Sequence, residues 1–456
     1  MNGEIPMKKK ALLAVLLAMT LLLSSCALVV KDEEVDAATV ILKLGDTEYT
    51  KAQVLNHADN VLYEMYQNAY YSGQSLDVTN ASVIASAKST AVEELKQDMT
   101  LRAKAAELGL DQLTDEEKAT AKENAESSFE YAKEYVKAYM LDAEDQKLEG
   151  EELEAAIQKG LDSLGVSFES YVKSAEDSVI DSKLKEYAVK DVTVSEDEIK
   201  AEYDSRVAAD EEKYKENAVS WTTSDRSGTT LYYAPAGIRR VKQILLKFKE
   251  ADQTAITEAK SKVTELNTKI SDAQKILDNE EATEEEKAAA QADKDAASAE
   301  LEAANKAVED ATNTAFANLD EDADAVLAAL AVKPEDWDKL VEEKNEDPGM
   351  KAGATNAEKG YAVCEGMTSF DSAFVDAAMA LKSVGDISAK TRGESNGYYI
   401  IKYFGDVAEG PVDYESVKET IQSSVLSTKQ NTVYSETIQQ WVKDAGIKED
   451  LGALNN

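Results

Sequence analysis

Histidine is almost absent from this 456-residue chain, His57 being the only one. Cysteine occurs twice, at Cys26 and Cys364, and proline five times. Basic residues are outnumbered, 50 Lys+Arg against 89 Asp+Glu, giving a formal net charge of −39. One histidine and two cysteines cannot furnish the usual zinc sites or an imidazole-centred triad, so neither a metal nor a cofactor is expected. The acidic balance excludes a nucleic-acid binder that works by neutralising phosphates. Few prolines and only 20 glycines exclude a collagen-like or linker-dominated chain. After Cys26 no segment approaches the ~18 apolar residues of a membrane-crossing helix. What is present is an ordinary hydrophobic share, 43%, in a chain long enough for about two to four domains.

The first residues read as a targeting segment. Lys8-Lys9-Lys10 precede the apolar run Ala11–Leu23, a positive region followed by a hydrophobic one too short to span comfortably. The run ends in Leu23-Ser24-Ser25-Cys26, which resembles a bacterial lipobox. The resemblance implies a lipoprotein signal peptide over 1–25, acylation of Cys26, and a tether over 26–37. The chain would then be held extracytoplasmically, on the outer face of the cell membrane. Two acyl chains anchor stably where one does not. Cys364 is left without an intrachain partner and, in YAVCEG, reads as a small buried apolar residue.

Beyond the tether, residues 39–50 alternate around Gly45-Asp46, a hairpin signal. Helical periodicity then dominates an N-terminal domain over 38–220. Val92, Leu95, Met99, Ala103 and Ala106 share a face ahead of a C-capping Gly109. Thr114/Glu117 and Ser195/Glu198 fit the capping box, and Gly165 with Ser167 marks another helix start. Residues 221–237, rich in Thr, Ser, Gly and Tyr, read as a boundary. Residues 239–248, RRVKQILLKF, read as a strand. From 251 to 311 two seams, Ile256 to Leu277 and Ala297 to Ala311, predict an antiparallel helical hairpin: a spacer or contact arm, or a solvated structural insertion. Helices at 335–344 and 370–382, a strand at 397–404 and a long tail helix from Asp413 to Ile447 complete the reading.

Four of these segments, taken in order, resemble the parvulin family of peptidyl-prolyl isomerases. RRVKQILLKF stands for the family's first strand. DWDKLVEEKNEDPGMKAG (336–353) matches its helix and acidic Asp-Pro-Gly turn, FDSAFVDAAMALKSVGDIS (370–388) its next helix and turn, and GYYIIKYF (397–404) its closing strand. The layout resembles the PrsA/SurA-like extracytoplasmic foldases, which join such a domain to a helical chaperone module. The resemblance implies an α+β fold: a helical N-terminal chaperone-like domain, a parvulin-like domain over 236–408 interrupted by the 251–311 hairpin, and a C-terminal helix over 409–456 packing on the N-terminal domain. It also implies partners, namely unfolded or proline-containing secreted polypeptides.

Rotation about X–Pro meets a barrier of about 18–20 kcal/mol because the amide is partly double-bonded. A catalyst needs an apolar grip on the ring and polar groups that favour the twisted amide. In the family these are two histidines, an Asp or Cys, and a Met/Phe-lined pocket. Carried over here, Asp347 stands at the Asp/Cys position, and Phe370 and Phe374 stand one helical turn apart as substrate-binding residues. Gln243 and Tyr399 replace the two histidines. The family's Gly-Gly-Asp-Leu-Gly stretch reads AEKGY at 357–361. Gln and Tyr can donate and accept hydrogen bonds but do not titrate as histidine does. Two readings follow: an isomerase with a substituted polar network, or a parvulin scaffold that binds extended segments without much catalysis. A non-enzymatic envelope scaffold or holdase is the alternative from another class. His57, within a helical pattern, reads as a surface or capping residue. Tyrosines cluster at helical spacing, Tyr63/66/70/71 and Tyr131/135/139, suited either to core packing or to sequence-tolerant binding of unfolded chains.

Overall fold

The structure, a computed structural model, describes residues 33–454, so the signal-peptide reading and Cys26 lie outside the described residues. The chain divides into two units. One runs to Val194 and resumes at Ser424, and the other is Ser195–Ser423.

The first unit opens with β1 (Val40–Leu44) and β2 (Thr47–Thr50), the hairpin signalled by Gly45-Asp46, with Gly45 at φ 58°. Helices α1 (Lys51–Tyr71), α2 (Ala81–Leu108), α3 (Asp115–Tyr135), α4 (Gly150–Leu164) and α5 (Phe168–Val189) follow. Their ends sit where short-range chemistry places them. Thr114 accepts from the Glu117 amide while the Glu117 carboxylate accepts from the Thr114 amide. Gly109 closes α2 in the left-handed region at φ 68°. α3 continues into one π turn, Val136–Met140, in which the Leu141 amide donates to the Val136 carbonyl. Val136 packs against Ile157 and Leu161. Gly160 permits that contact, since a Cβ there would lie 2.3 Å from Val136 Cγ1.

The second unit begins with α6 (Glu196–Tyr214), α7 (Ala218–Arg226), β3 (Tyr233–Ala234) and β4 (Arg239–Lys247). The stretch 221–237 is therefore part of the fold rather than a boundary. Trp221, Leu231, Tyr232 and Tyr233 are buried, and the Trp221 indole donates to the Tyr233 carbonyl at 2.7 Å. Its Thr, Ser and Gly content signals loops locally, but burial of its aromatic residues, a long-range effect, decides its place.

The hairpin is present as α8 (Glu250–Leu277) and α9 (Glu284–Ala317), with Val263, Leu266 and Ile270 against Ala297, Leu301 and Ala304. After it come α10 (Asp320–Val332), α11 (Trp337–Lys344), α12 (Thr355–Lys359), β5 (Tyr361–Val363), α13 (Ser372–Ala380), β6 (Thr391–Arg392), β7 (Gly397–Asp406) and β8 (Gly410–Pro411). Four strands form one antiparallel sheet in the order β5-β4-β7-β6, and β3 pairs with β8. β4 and β7, distant in sequence, are neighbours: Gln243 lies opposite Ile401 and Leu245 opposite Tyr399. Alternation sends Val241, Leu245, Tyr399 and Ile401 to one face, with Met367, Phe374 and Val375. It sends Ile244, Leu246, Tyr398 and Ile400 to the other, against α10, Trp337 and the base of the hairpin at Ile256 and Phe316. The tail helix α14 (Tyr414–Asp444) leads to β9 (Lys448–Glu449), which adds to β1 to make the sheet β2-β1-β9. Within the first unit, Lys104 Nζ of α2 lies 5.7 Å from the Trp441 ring centroid. The fold is α+β.

A largely buried ion pair ties α7 to β4: Arg240 grips Asp225 at 2.7 Å, and Lys359 joins at 3.1 Å. Burial pushes the Asp225 carboxyl up, but the hydrogen bonds and charges of Arg240 and Lys359 outweigh it, and its pKa falls below the ordinary aspartate value. A depressed carboxyl contributes stability that is present above its unfolded pKa and lost as pH falls through the folded one. The melting temperature of the second unit should therefore hold between about pH 7 and 5 and drop below about pH 4. Calorimetry of the Asp225→Asn variant should show a lower melting temperature and a shallower acid limb.

Candidate functional site

β5 pairs only with Arg239–Val241, so the rest of that edge of β4 needs other partners. The turn after α11 supplies them. Asn345 Oδ1 accepts from the amides of Leu245 and Asp347, both at 3.0 Å, and Asn345 Nδ2 donates to the Asp347 carbonyl at 2.8 Å. The Glu346 amide donates to the Leu245 carbonyl at 2.9 Å, and its carboxylate accepts from the Lys247 amide at 2.6 Å. This stitching carries Asp347 to the side chain of Gln243.

The Asp347 carboxylate accepts three hydrogen bonds. Gln243 Nε2 and the Tyr361 hydroxyl donate to Oδ2 at 2.7 and 2.9 Å, and the Gly349 amide donates to Oδ1 at 2.9 Å. Asp347 is thus both the turn residue ahead of Pro348 and the hub of a buried polar set. Gly349 is required, because a Cβ there would sit 1.9 Å from the Tyr361 hydroxyl. Gln243 Oε1 is buried and has no partner among the described residues.

Tyr399 shares the sheet face of Gln243 one pair along but bonds elsewhere. Its hydroxyl donates to Asp371 Oδ2 at 3.4 Å and accepts from Asn396 Nδ2 at 3.2 Å. Aromatic rings join the two polar groups edge to face. Centroids are 5.3 Å apart for Tyr361–Phe370, 5.6 Å for Phe370–Phe374 and 5.3 Å for Phe374–Tyr399. Phe374 is core, while Phe370 is half-buried with the Arg226 guanidinium 5.2 Å from its ring centroid.

The structure therefore brings Gln243 and Asp347 into contact, sets Phe370, Phe374 and Tyr399 in one row beside them, and adds Tyr361. Sequence reasoning passed over Tyr361 because AEKGY was read for the glycines it lacks. The available signal was a tyrosine opening a strand directly after Gly360. Burial first, then the Asp347 charge and hydrogen bond, push the Tyr361 hydroxyl pKa upward. Burial also raises that of Tyr399, against the Asn396 hydrogen bond and with Asp371 adding to it. Both phenols are neutral donors at neutral pH.

The other singled-out residues lie apart. His57 Nε2 sits 2.8 Å from Glu94 Oε2 in a partly exposed pair. Cys364 is a buried free thiol whose pKa burial raises. No helix among the described residues is long and apolar enough to cross a membrane.

No protein-family model matches the chain. A search of characterised proteins does find relatives. The chain is similar to foldase protein PrsA. The Clostridium botulinum (strain Hall) protein of that name is 34% identical over 131 residues, 28% of this chain and 37% of that protein. The Clostridium tetani protein is 31% identical over 129 residues, 28% of this chain and 36% of its own length. The matched stretch thus spans little more than a third of these PrsA proteins. Among solved structures, PrsA from Streptococcus pneumoniae is 14% identical over 91% of this chain and 97% of that one, with a TM-score of 0.25. A structure from work on the SurA-like chaperones PEB4 and Cj1289 of Campylobacter jejuni is 15% identical over 70% of this chain and 94% of that one, with a TM-score of 0.23. The parvulin-type foldase resemblance read from the residues is thus met by relatives that carry the foldase name.

Proposed function

We propose that this chain is an extracytoplasmic foldase, anchored through acylated Cys26, that assists the folding of secreted proteins. Its Ser195–Ser423 unit receives proline-containing segments, and its helical unit holds unfolded chain. The observation that carries the reading is the pairing of β4 with β7, which gathers Gln243, Asp347, Tyr361, Phe370, Phe374 and Tyr399 on one sheet face. In this reading the half-buried Phe370 meets the proline ring, backed by the buried Phe374 and Met367. No bond forms or breaks during the turn about X–Pro, so the polar groups act only by hydrogen bonding to the twisted amide. Asp347 fixes the others: its carboxylate takes the Tyr361 hydroxyl proton and one Nε2 hydrogen of Gln243, and since an X–Pro amide has no N–H and can only accept, the second Nε2 hydrogen of Gln243 is the donor left for it. With no imidazole in the set, isomerisation should not follow a titration near pH 6.5.

A second reading, binding without catalysis, is favoured by one observation. Tyr399, standing for the second family histidine, is engaged by Asp371 and Asn396 rather than by Asp347. In the helical unit a groove of about 880 Å³ between α3, α5 and α14, lined by Ser128, Tyr171, Ser178, Lys183 and Gln430 among others, supports the holding role.

The test is refolding of an unfolded secreted protein whose slow phase is limited by proline isomerisation. Substoichiometric full-length chain should shorten that phase. An effect only at equimolar ratios, through suppressed aggregation alone, would leave the holdase and remove the isomerase. No effect on several clients would overturn the foldase reading. Membrane partitioning that is unchanged by Cys26→Ala would remove the anchor.

A further inference from the structure

Tyr49 and Tyr171 pack against the core of the helical unit, but a row of tyrosines on α3 does not. Tyr131, Tyr135 and Tyr139 are 76%, 48% and 73% exposed. An adjoining side of the same helix, Ala121, Ala125, Ala132 and Val136, is buried. Single exposed aromatics are ordinary, but three spaced four residues apart, two of them in ring contact, expose about 300 Å² together, the size of a functional surface patch.

The π turn shapes this strip. Four residues of α-helix overshoot one full turn, so a row at that spacing drifts round the helix. The wider π turn at Val136–Met140 falls short of it and brings Tyr139 back over Tyr135. Their ring centroids are 5.3 Å apart. Val136, the first residue of the π turn, is seated against Gly160. A similar cluster ends α1, where Tyr63, Tyr70 and Tyr71 are 41%, 60% and 81% exposed.

Charge selects the occupant. From Glu126 to Asp145 six acids accompany two lysines. Lys133 is drawn to Glu130 at 2.8 Å, and Glu134 lies exposed beside the rings. Elsewhere in this unit an exposed tyrosine is capped by its own cation, with Lys190 Nζ 4.5 Å from the Tyr187 centroid. Among the described residues no cation lies over Tyr131, Tyr135 or Tyr139. Tyrosine faces attract ammonium and guanidinium groups, and the net charge of −39 draws cationic chains toward the surface.

We propose that the Tyr131–Tyr135–Tyr139 ladder is a docking strip for lysine- and arginine-bearing segments of unfolded polypeptide. The proposal rests on the foldase reading and names the class of client segment its helical unit prefers.

The test uses the full chain and three fluorescent unstructured peptides of equal length, rich in Lys/Ala, Glu/Ala or Gln/Ala, followed by anisotropy. The cationic peptide should bind best, and more weakly as salt rises. The triple variant Tyr131→Ser/Tyr135→Ser/Tyr139→Ser should lose about tenfold or more in affinity for it, whereas the triple Tyr→Phe variant, which keeps the ring faces, should lose little. Circular dichroism checks that both variants fold, which exposed positions favour. Unchanged affinity in the serine variant, or equal binding of all three peptides, would overturn the ladder. Sedimentation that shows a wild-type dimer abolished by the serine variant would overturn it in favour of self-association. If the serine variant keeps both its cationic-peptide affinity and its suppression of client aggregation, the ladder fails and the foldase reading stands. If the wild type suppresses no aggregation, it is the foldase reading that fails.

Discussion

Asp347→Ala should destabilise the Ser195–Ser423 unit by about 3 kcal/mol or more, because each buried group left unpaired costs about 1–3 kcal/mol. The change strands three donors at once: Gln243 Nε2, the Tyr361 hydroxyl and the Gly349 amide. Asp347→Asn should cost less, since one carbonyl oxygen remains, but its amide group turns a donor toward donors. Urea unfolding with an unchanged m-value would register the loss as stability. The effect on function should exceed the effect on fold. At temperatures where Asp347→Ala is still folded, Gln243 and Tyr361 are no longer held, and handling of proline peptides should disappear. A variant as stable as the parent would mean that the polar set is not bonded as described.

The second large effect concerns the strand pairing itself. Gly397 opens β7 at φ 136°, and a Cβ on it would lie 1.9 Å from the Leu246 carbonyl oxygen and 3.0 Å from Lys247 Cα. Both obstacles are backbone, which cannot swing aside as a side chain can. Gly397→Ala should therefore cost about 3 kcal/mol or more and weaken the β4–β7 ladder where it begins. Gly405 lies in the same strand, and a Cβ added there would meet nothing within 4 Å, so Gly405→Ala is the control and should be near neutral. Denaturant midpoints of the two variants, with proline-peptide binding measured alongside, separate pairing from composition. Equal midpoints would contradict the close approach.

The parts of the fold legible in the sequence were those set by neighbours along the chain. Thr114/Glu117 and Ser195/Glu198 each form the reciprocal bonds that their spacing requires. Gly109 and Gly165 take the left-handed positions at helix ends. The heptad-like seams at 251–311 were readable because each arm carries its half of the interface. What escaped was set by distant residues. Residues 221–237 look like a loop, yet Trp221 and Leu231 are core because β4, β5 and α13 close over them. The short strands β3, β8 and β9 are too brief to show alternation and exist only through their partners.

The candidate site divides the same way. Asp347 and Gln243 could be paired because each sits in a recognisable segment, and they do meet. Tyr361 could not be found from spacing alone: its hydroxyl reaches Asp347 through the pairing of β5 with β4, a tertiary relation. Tyr399 lies in β7, the strand its segment predicts, but Asp371, the N-cap of α13, lies close enough to take its hydroxyl.

In the proposed function β4, β7 and the turn at Asp347 form one slot that turns an X–Pro bond. NMR exchange spectroscopy on an Ala-Pro peptide, with and without a small molar fraction of the full chain, measures that turn directly. Cis–trans exchange should be faster, equally so at pH 6 and pH 8, and should return to the uncatalysed rate with folded Asp347→Ala. Exchange at the uncatalysed rate with the parent protein, or acceleration that survives Asp347→Ala, would contradict that function.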